Sequence, residues 1–173
     1  LKNARAPFKG DGSDLFPGAG TGRMQKIIDW THSSNVKISF DITENLFSPW
    51  CAAVWGFPAV NNGKIYQMID LLPGLYLLKI DVGKVSSNNC TEMYGVVATG
   101  TTLPDYNVVT TATETLGQDK LSDHLGVTRT ISFTVKTPSK VTIGTVFNLR
   151  NMYPIDGTPW TYMTIRGFTL SPQ

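Results

Sequence analysis

The sequence is poor in the side chains that carry most enzymatic chemistry: its 173 residues include two histidines and two cysteines. Two thiols cannot make a four-cysteine zinc site, and no histidine stands at ligand spacing from either, which argues against a thiolate metal centre. No Gly-x-Ser-x-Gly elbow is present, so a hydrolase nucleophile of that type is excluded. Charge is also scarce, at 16% of residues, and the 15 basic side chains are scattered against 13 acidic ones. No basic stripe tracks a phosphate backbone, and nucleic acid is not an expected partner. Nor is there an apolar run of the roughly 18 residues that span a bilayer. The richest stretch, Ile65 to Val82, is broken by Gln67, Asp70, Pro73, Gly74, Lys79 and Asp81. Internal repeats and sustained helical periodicity are missing as well.

What is present is a 41% hydrophobic chain of a length that suits one domain with its own core. The chain opens on Leu1 and Lys2 without an initiator Met or signal peptide, as expected of a mature product or a domain cut from a longer one. Cys51 and Cys90 admit two readings. Paired, they close a loop of about 40 residues worth roughly 4 kcal/mol in the chain-entropy model. Unpaired, Cys51, between Trp50 and Ala52, is a buried thiol.

Residues 1–23 are rich in Gly, Asp, Ser and Pro and read as an irregular segment, leaving 24–173 as one domain. Val36, Ile38, Phe40 and Ile42 alternate with polar residues as in a half-buried strand. An apolar stretch from Trp50 to Val60 runs into Asn61-Asn62-Gly63, a hairpin signal, and then into a strand to Leu71. Leu72-Pro73-Gly74 turns the chain into Leu75–Val82, with Tyr76, Leu78, Ile80 and Val82 inward, which predicts a three-strand meander. Met93–Thr99 and Asn107–Thr113 are further strand candidates, and 114–127 reads as a long loop. Arg129–Lys136 is predicted to form a second hairpin with Val141–Leu149 across Pro138-Ser139, and Trp160–Leu170 is the last strand. About eight or nine short strands without strand–helix alternation point to an all-β antiparallel sandwich, best matched by a jelly roll.

Few motifs carry chemistry. Gly18-Ala19-Gly20-Thr21-Gly22 lacks the strand and helix that would frame a phosphate loop, and reads as a flexible turn. Asp11, Ser13 and Asp14 could offer oxygens to calcium together with distant residues, but Leu15 and Gly22 break the EF-hand pattern, so no cofactor is expected beyond that calcium option. His32 and His124 are expected to be solvated side chains rather than catalysts. A small hydrolase built on paired carboxylates is a third-ranked reading.

The aromatics are more informative. Sugar rings lay apolar C–H faces against aromatic rings, while their hydroxyls need Asn, Asp or Arg nearby. Tyr153, Trp160, Tyr162, Asn148, Arg150, Asn151 and Asp156 cluster within 15 positions and meet that description, although Trp160 also fits core or rim packing. The outward parities of Val36–Ile42 and Arg129–Lys136 offer only Lys, Ser, Asp and Thr, so the ligand site is placed at a loop end: Arg150 and Asn151 to hydroxyls, Tyr153 or Trp160 to an apolar face, Asp156 beside them.

Lys64-Ile65-Tyr66-Gln67-Met68-Ile69-Asp70-Leu71-Leu72-Pro73-Gly74-Leu75-Tyr76, Val141-Thr142-Ile143-Gly144 and Ile165-Arg166-Gly167-Phe168-Thr169-Leu170 follow an order that resembles galactose-binding-like jelly rolls. Carbohydrate-binding modules and uncharacterised C-terminal domains of Bacteroidetes surface lipoproteins share it. The resemblance spans residues 24–170 and rests on core strands and turns, so no contact residue is carried over. It implies a non-catalytic glycan-binding module of a larger exported protein, secreted, periplasmic or on the outer cell surface. The alternative is a structural or protein-interaction sandwich that packs against neighbouring domains of its parent chain.

Overall fold

The computed structural model describes residues 1–86, 90–151, 153, 155 and 157–173. Eleven strands form: β1 (Met24–Gln25), β2 (Thr31–His32), β3 (Ile38–Asp41), β4 (Leu46–Cys51), β5 (Val60–Leu71), β6 (Gly74–Val85), β7 (Thr91–Thr99), β8 (Thr115–Lys120), β9 (Thr128–Val135), β10 (Ser139–Leu149) and β11 (Thr161–Pro172). They build a six-stranded sheet, β1-β3-β4-β11-β6-β9, and a five-stranded sheet, β2-β5-β10-β7-β8. Every pairing is antiparallel. The protein is an antiparallel β-sandwich, as the strand pattern predicts, and no helix among the described residues is long and apolar enough to cross a membrane.

Strand faces follow the alternation. Leu78, Ile80 and Val82 from β6, Ile131, Phe133 and Val135 from β9, and Val141, Ile143 and Phe147 from β10 meet in one core between the sheets. Ile42 departs from its predicted inward face, because the strand ends at Asp41 and Ile42 lies exposed in the turn that follows. The N-terminal segment 1–23 has a 3-10 turn at Pro17–Ala19 and two isolated antiparallel bridges, Arg5 to Gly167 and Gly10 to Ile27, and Phe8 is buried in the main core beside Phe47.

The predicted pairings need correction. β5 and β6 lie in different sheets, as do β9 and β10, so neither the meander nor the second hairpin exists. The turns at Leu72-Pro73 and around Pro138 carry the chain across the sandwich instead, which is jelly-roll winding. Asn61-Asn62-Gly63 is not a hairpin turn but a bulge inside β5: Gly63 faces Phe147 and Val60 faces Leu149, so two residues oppose the single Asn148. Asn62 takes φ 56°, the conformation that its residue type tolerates. Its backbone N–H donates to Asn148 Oδ1 at 2.8 Å, its Nδ2 donates to Asp105 Oδ1 at 2.9 Å, and its Oδ1 accepts from Tyr106 N–H at 2.8 Å.

Those bonds fasten the 100–114 connection to the outer face of the five-stranded sheet. There Leu103 and Val109 bury themselves on Val96, Ala98 and Val146. The Val-rich stretch read as a strand over Asn107–Thr113 is therefore a covering loop with a 3-10 turn at Tyr106–Val108. Conversely, the expected long loop over 114–127 contains the edge strand β8, half-buried along its whole length.

Candidate functional site

A cavity of about 520 Å³ opens on the outer face of the six-stranded sheet, under two short loops. In β4, Cys51 and Phe47 face the core, which turns Ser48 and Trp50 outward. Trp50 pairs with Ile38 in β3 and with Tyr162 in β11, giving the cavity an aromatic floor. The next residues leave the sheet through a 3-10 turn at Ala53–Trp55. Reciprocal backbone bonds between Ala52 and Phe57, 2.8 and 3.1 Å, and Gly56 at φ 84° close this loop and hold Trp55 above Trp50.

The indoles lie nearly parallel: Trp50 and Trp55 at 6.0 Å and 13°, Trp55 and Trp160 at 5.6 Å and 22°. Phe16, beside the Pro17–Ala19 turn, stacks on Trp55 at 5.3 Å and 27° and meets Phe57 edge-on. Trp50 is buried at 7% exposure, whereas Trp55 and Trp160 remain 40% and 39% exposed. The row thus runs from the sheet out to solvent.

Opposite these rings stands a polar wall. Arg23 grips both oxygens of Asp41, Nη2 to Oδ2 at 2.8 Å and Nε shared between Oδ1 at 3.1 Å and Oδ2 at 3.2 Å, and Thr43 adds its N–H and hydroxyl at 2.9 and 2.6 Å. Burial pushes the Asp41 carboxyl up, but the bonds from Arg23 and Thr43 outweigh it and hold the group below the ordinary carboxylate range. Glu44 is paired with Lys84 at 2.7 Å. Both carboxylates at the cavity are therefore committed to cations, and Asp41 is no proton donor near neutrality. The arrangement offers stacking surface, a guanidinium, carboxylate oxygens and the Ser48 and Tyr162 hydroxyls.

Of the C-terminal cluster singled out from sequence, Trp160 and Tyr162 line this cavity. Arg150 is exposed and joins the structure through its backbone: its N–H donates to Cys90 O at 3.0 Å and its carbonyl accepts from Thr161 Oγ1 at 2.7 Å. Asn151 Oδ1 accepts from Tyr153 N–H at 3.0 Å, and Tyr153 is exposed. None of these three lines the cavity, and Asp156 lies outside the described residues. Phe16, Arg23, Asp41, Glu44 and Ser48 carried no signal of their own, being spread over separate stretches of chain. The usable signal was the aromatic crowding of Trp50, Trp55 and Phe57.

The other candidates resolve differently. Asp11 Oδ1 accepts from Ser13 N–H and from Ser13 Oγ, which makes it the cap of a turn. Among the described residues no three His, Cys, Asp or Glu side chains gather around a metal-sized space. His32 is not the solvated side chain expected: it is largely shielded, and burial lowers its pKa to about 4. Cys51 and Cys90 are both buried and no disulfide joins them.

Comparison with known proteins yields a family and a set of similar folds. A family model described as "Domain of unknown function (DUF5013)" matches residues 2–144. No curated protein matches the chain. Among solved structures, the chain is similar to TmCBM61, determined in complex with beta-1,4-galactotriose, at 12% identity and a TM-score of 0.47, covering 84% of this chain and 90% of that one. It is also similar to the K3 cleaved adhesin domain of Lys-gingipain from Porphyromonas gingivalis w83, at 14% identity and a TM-score of 0.40, covering 83% of this chain and 89% of that one.

Proposed function

This chain belongs to the DUF5013 family, and we propose that it is a non-catalytic glycan-binding module of a larger exported or cell-surface protein, with its ligand in the aromatic cavity. One observation carries this reading: two indoles of a stacked row, Trp55 and Trp160, stand about 40% exposed beside a concave polar wall. Large rings left in water cost hydrophobic free energy of roughly 25 cal/mol per Å² unless a ligand covers them. An apolar concavity with a few convergent polar groups is the general form of a small-ligand site. Sugars suit it, because the rings take the C–H faces while Arg23, Asp41, Glu44 and Ser48 present donors and acceptors for hydroxyls. With Asp41 held ionised by Arg23, the wall binds rather than protonates.

A glycan array followed by calorimetry tests this directly. Binding of an oligosaccharide that Trp160→Ala weakens at least about tenfold while the fold persists is the expected result. No binding of any mono-, oligo- or polysaccharide at millimolar concentration overturns it.

A second reading, docking onto a neighbouring domain of the parent chain, draws on Val54 at 47% exposure beside Trp55, and on Tyr153 and Ile155 at 46% and 84% in the loop before β11. These are large apolar side chains left in water. Burial of Trp55 and Val54 against an adjacent domain of the full-length parent, seen by hydrogen exchange, would favour it.

A further inference from the structure

The aromatic cavity does not stand alone on its sheet face. A second depression of about 530 Å³ opens further along the same two strands, lined by Leu46 of β4, Arg166 and Thr169 of β11, and Lys79 of β6. Leu46, Ser48 and Trp50 share one parity of β4, opposite to the core-facing Phe47 and Cys51. Both depressions therefore sit on the outer face of the six-stranded sheet, and Trp50 lies four residue steps along β4 from Leu46, about 13 Å at strand spacing. That span exceeds one sugar ring and suits a chain of several.

The two ends differ in charge. Around the aromatic end, Asp41 is matched by Arg23 and Glu44 by Lys84. The second depression brings Arg5, Lys79 and Arg166 together with a single carboxylate, Asp81, which Arg166 binds at 2.8 Å. Arg5 is fixed by its Nε to Thr169 Oγ1 at 3.0 Å, a hydroxyl rather than an anion. Among the described residues no carboxylate pairs with Arg5 or Lys79, and both are exposed. Two unmatched cations beside two threonine hydroxyls, Thr128 and Thr169, form an oxyanion-receiving surface.

We propose that the outer face of the six-stranded sheet is one extended site for an acidic polysaccharide, in which the indoles stack a sugar ring and Arg5 and Lys79 take the carboxylates of further residues along the same chain. This rests on the glycan-binding reading above and names its ligand class: a uronic-acid polymer rather than a neutral glycan.

The test uses the whole 173-residue chain with oligogalacturonate and its fully methyl-esterified counterpart, which share a backbone and differ in charge. Calorimetry is expected to show the acidic form binding more tightly by at least about tenfold at low salt, as expected when charge-assisted contacts are added. The gap should narrow at physiological ionic strength. The double variant Arg5→Gln and Lys79→Gln should close it while still binding both forms, and Trp160→Ala should weaken both. Equal binding of the two forms to the unaltered chain overturns the acidic-ligand inference and leaves the glycan reading intact. Binding of neither form, nor of any other glycan, defeats both. Polyglutamate of matching charge that binds as tightly as oligogalacturonate, and is indifferent to Trp160→Ala, marks a general polyanion surface and also overturns the inference.

Discussion

Trp55 and Trp160 reach each other from two separate loops, their rings 5.6 Å apart and 22° from parallel, so neither is held in place by its own strand. Each ring covers one face of the other, and removing one exposes that face. Trp160→Ala is expected to weaken ligand binding at least about tenfold, given the 150–250 Å² that an indole offers a partner. Because Trp160 is 39% exposed, the same change should lower stability by less than about 2 kcal/mol, well under the ~3–5 kcal/mol for a buried tryptophan such as Trp50. Calorimetric titration beside thermal melts separates the two effects. A large loss of melting temperature in Trp160→Ala would show it to be a packing residue.

Asn62 holds the β5 bulge and the 100–114 loop together. Asn62→Ala removes two side-chain hydrogen bonds and leaves an alanine at φ 56°, for an expected cost of about 2–4 kcal/mol. Asn62→Gly keeps the backbone relaxed and loses only the side-chain bonds, so it should cost less. Denaturant melts of the two variants check the order, and equal losses would show that backbone strain plays no part.

How much of this was legible beforehand follows from what each signal encodes. The alternation in Tyr76–Val82 and Arg129–Val135 gives face and extent, because side-chain parity belongs to the strand itself. It says nothing about which sheet a strand joins, and so the turns at Leu72-Pro73 and Pro138, which cross the sandwich, read like hairpins. Asn62-Gly63 is ambiguous for a related reason: positive φ serves a two-residue turn and a bulge equally. In the site, Trp50, Trp55 and Trp160 could be marked as aromatics of interest, but Arg23 and Asp41 meet only after β1 pairs with β3. The outward faces of β3 and β9 carry no aromatic ring, as expected, whereas Trp50 in β4 and Tyr162 in β11 do stand on the outer face.

His32 makes stability pH-dependent. Ser39 Oγ accepts from Ile27 N–H at 2.9 Å and lies 2.7 Å from His32 Nε2, so its proton is directed at an unprotonated ring nitrogen. Burial, reinforced by the Lys26 charge, lowers the folded pKa from 6.5 to about 4. Above pH 6.5 both states are neutral and the group contributes nothing. As pH falls toward 4 the unfolded chain takes up the proton first, which favours unfolding by roughly 3 kcal/mol in all. Urea melts between pH 7 and 4 should show this decline, and His32→Gln should flatten it. An unchanged slope in that variant would assign the decline to other groups.

The Cys51 thiol is pushed up to about 11, chiefly by burial, and its Sγ contacts the Leu149 carbonyl at 3.8 Å. Thiolate is the reactive form, so native protein at neutral pH should resist alkylation at Cys51 and react once unfolded. Intact mass after iodoacetamide treatment, with and without denaturant, is the measurement. A mass unchanged even after unfolding would reveal a bridge to Cys90.

β11, the last strand in sequence, occupies the interior of the six-stranded sheet between β4 and β6. A ribosome delivers it after everything it must separate. Until residues 161–172 have been made, β4 and β6 each present an unpaired edge, and the floor of the aromatic cavity lacks Tyr162. The two halves of the six-stranded sheet are thus joined through the strand made last, and the aromatic cavity cannot have its complete floor before that strand is in place.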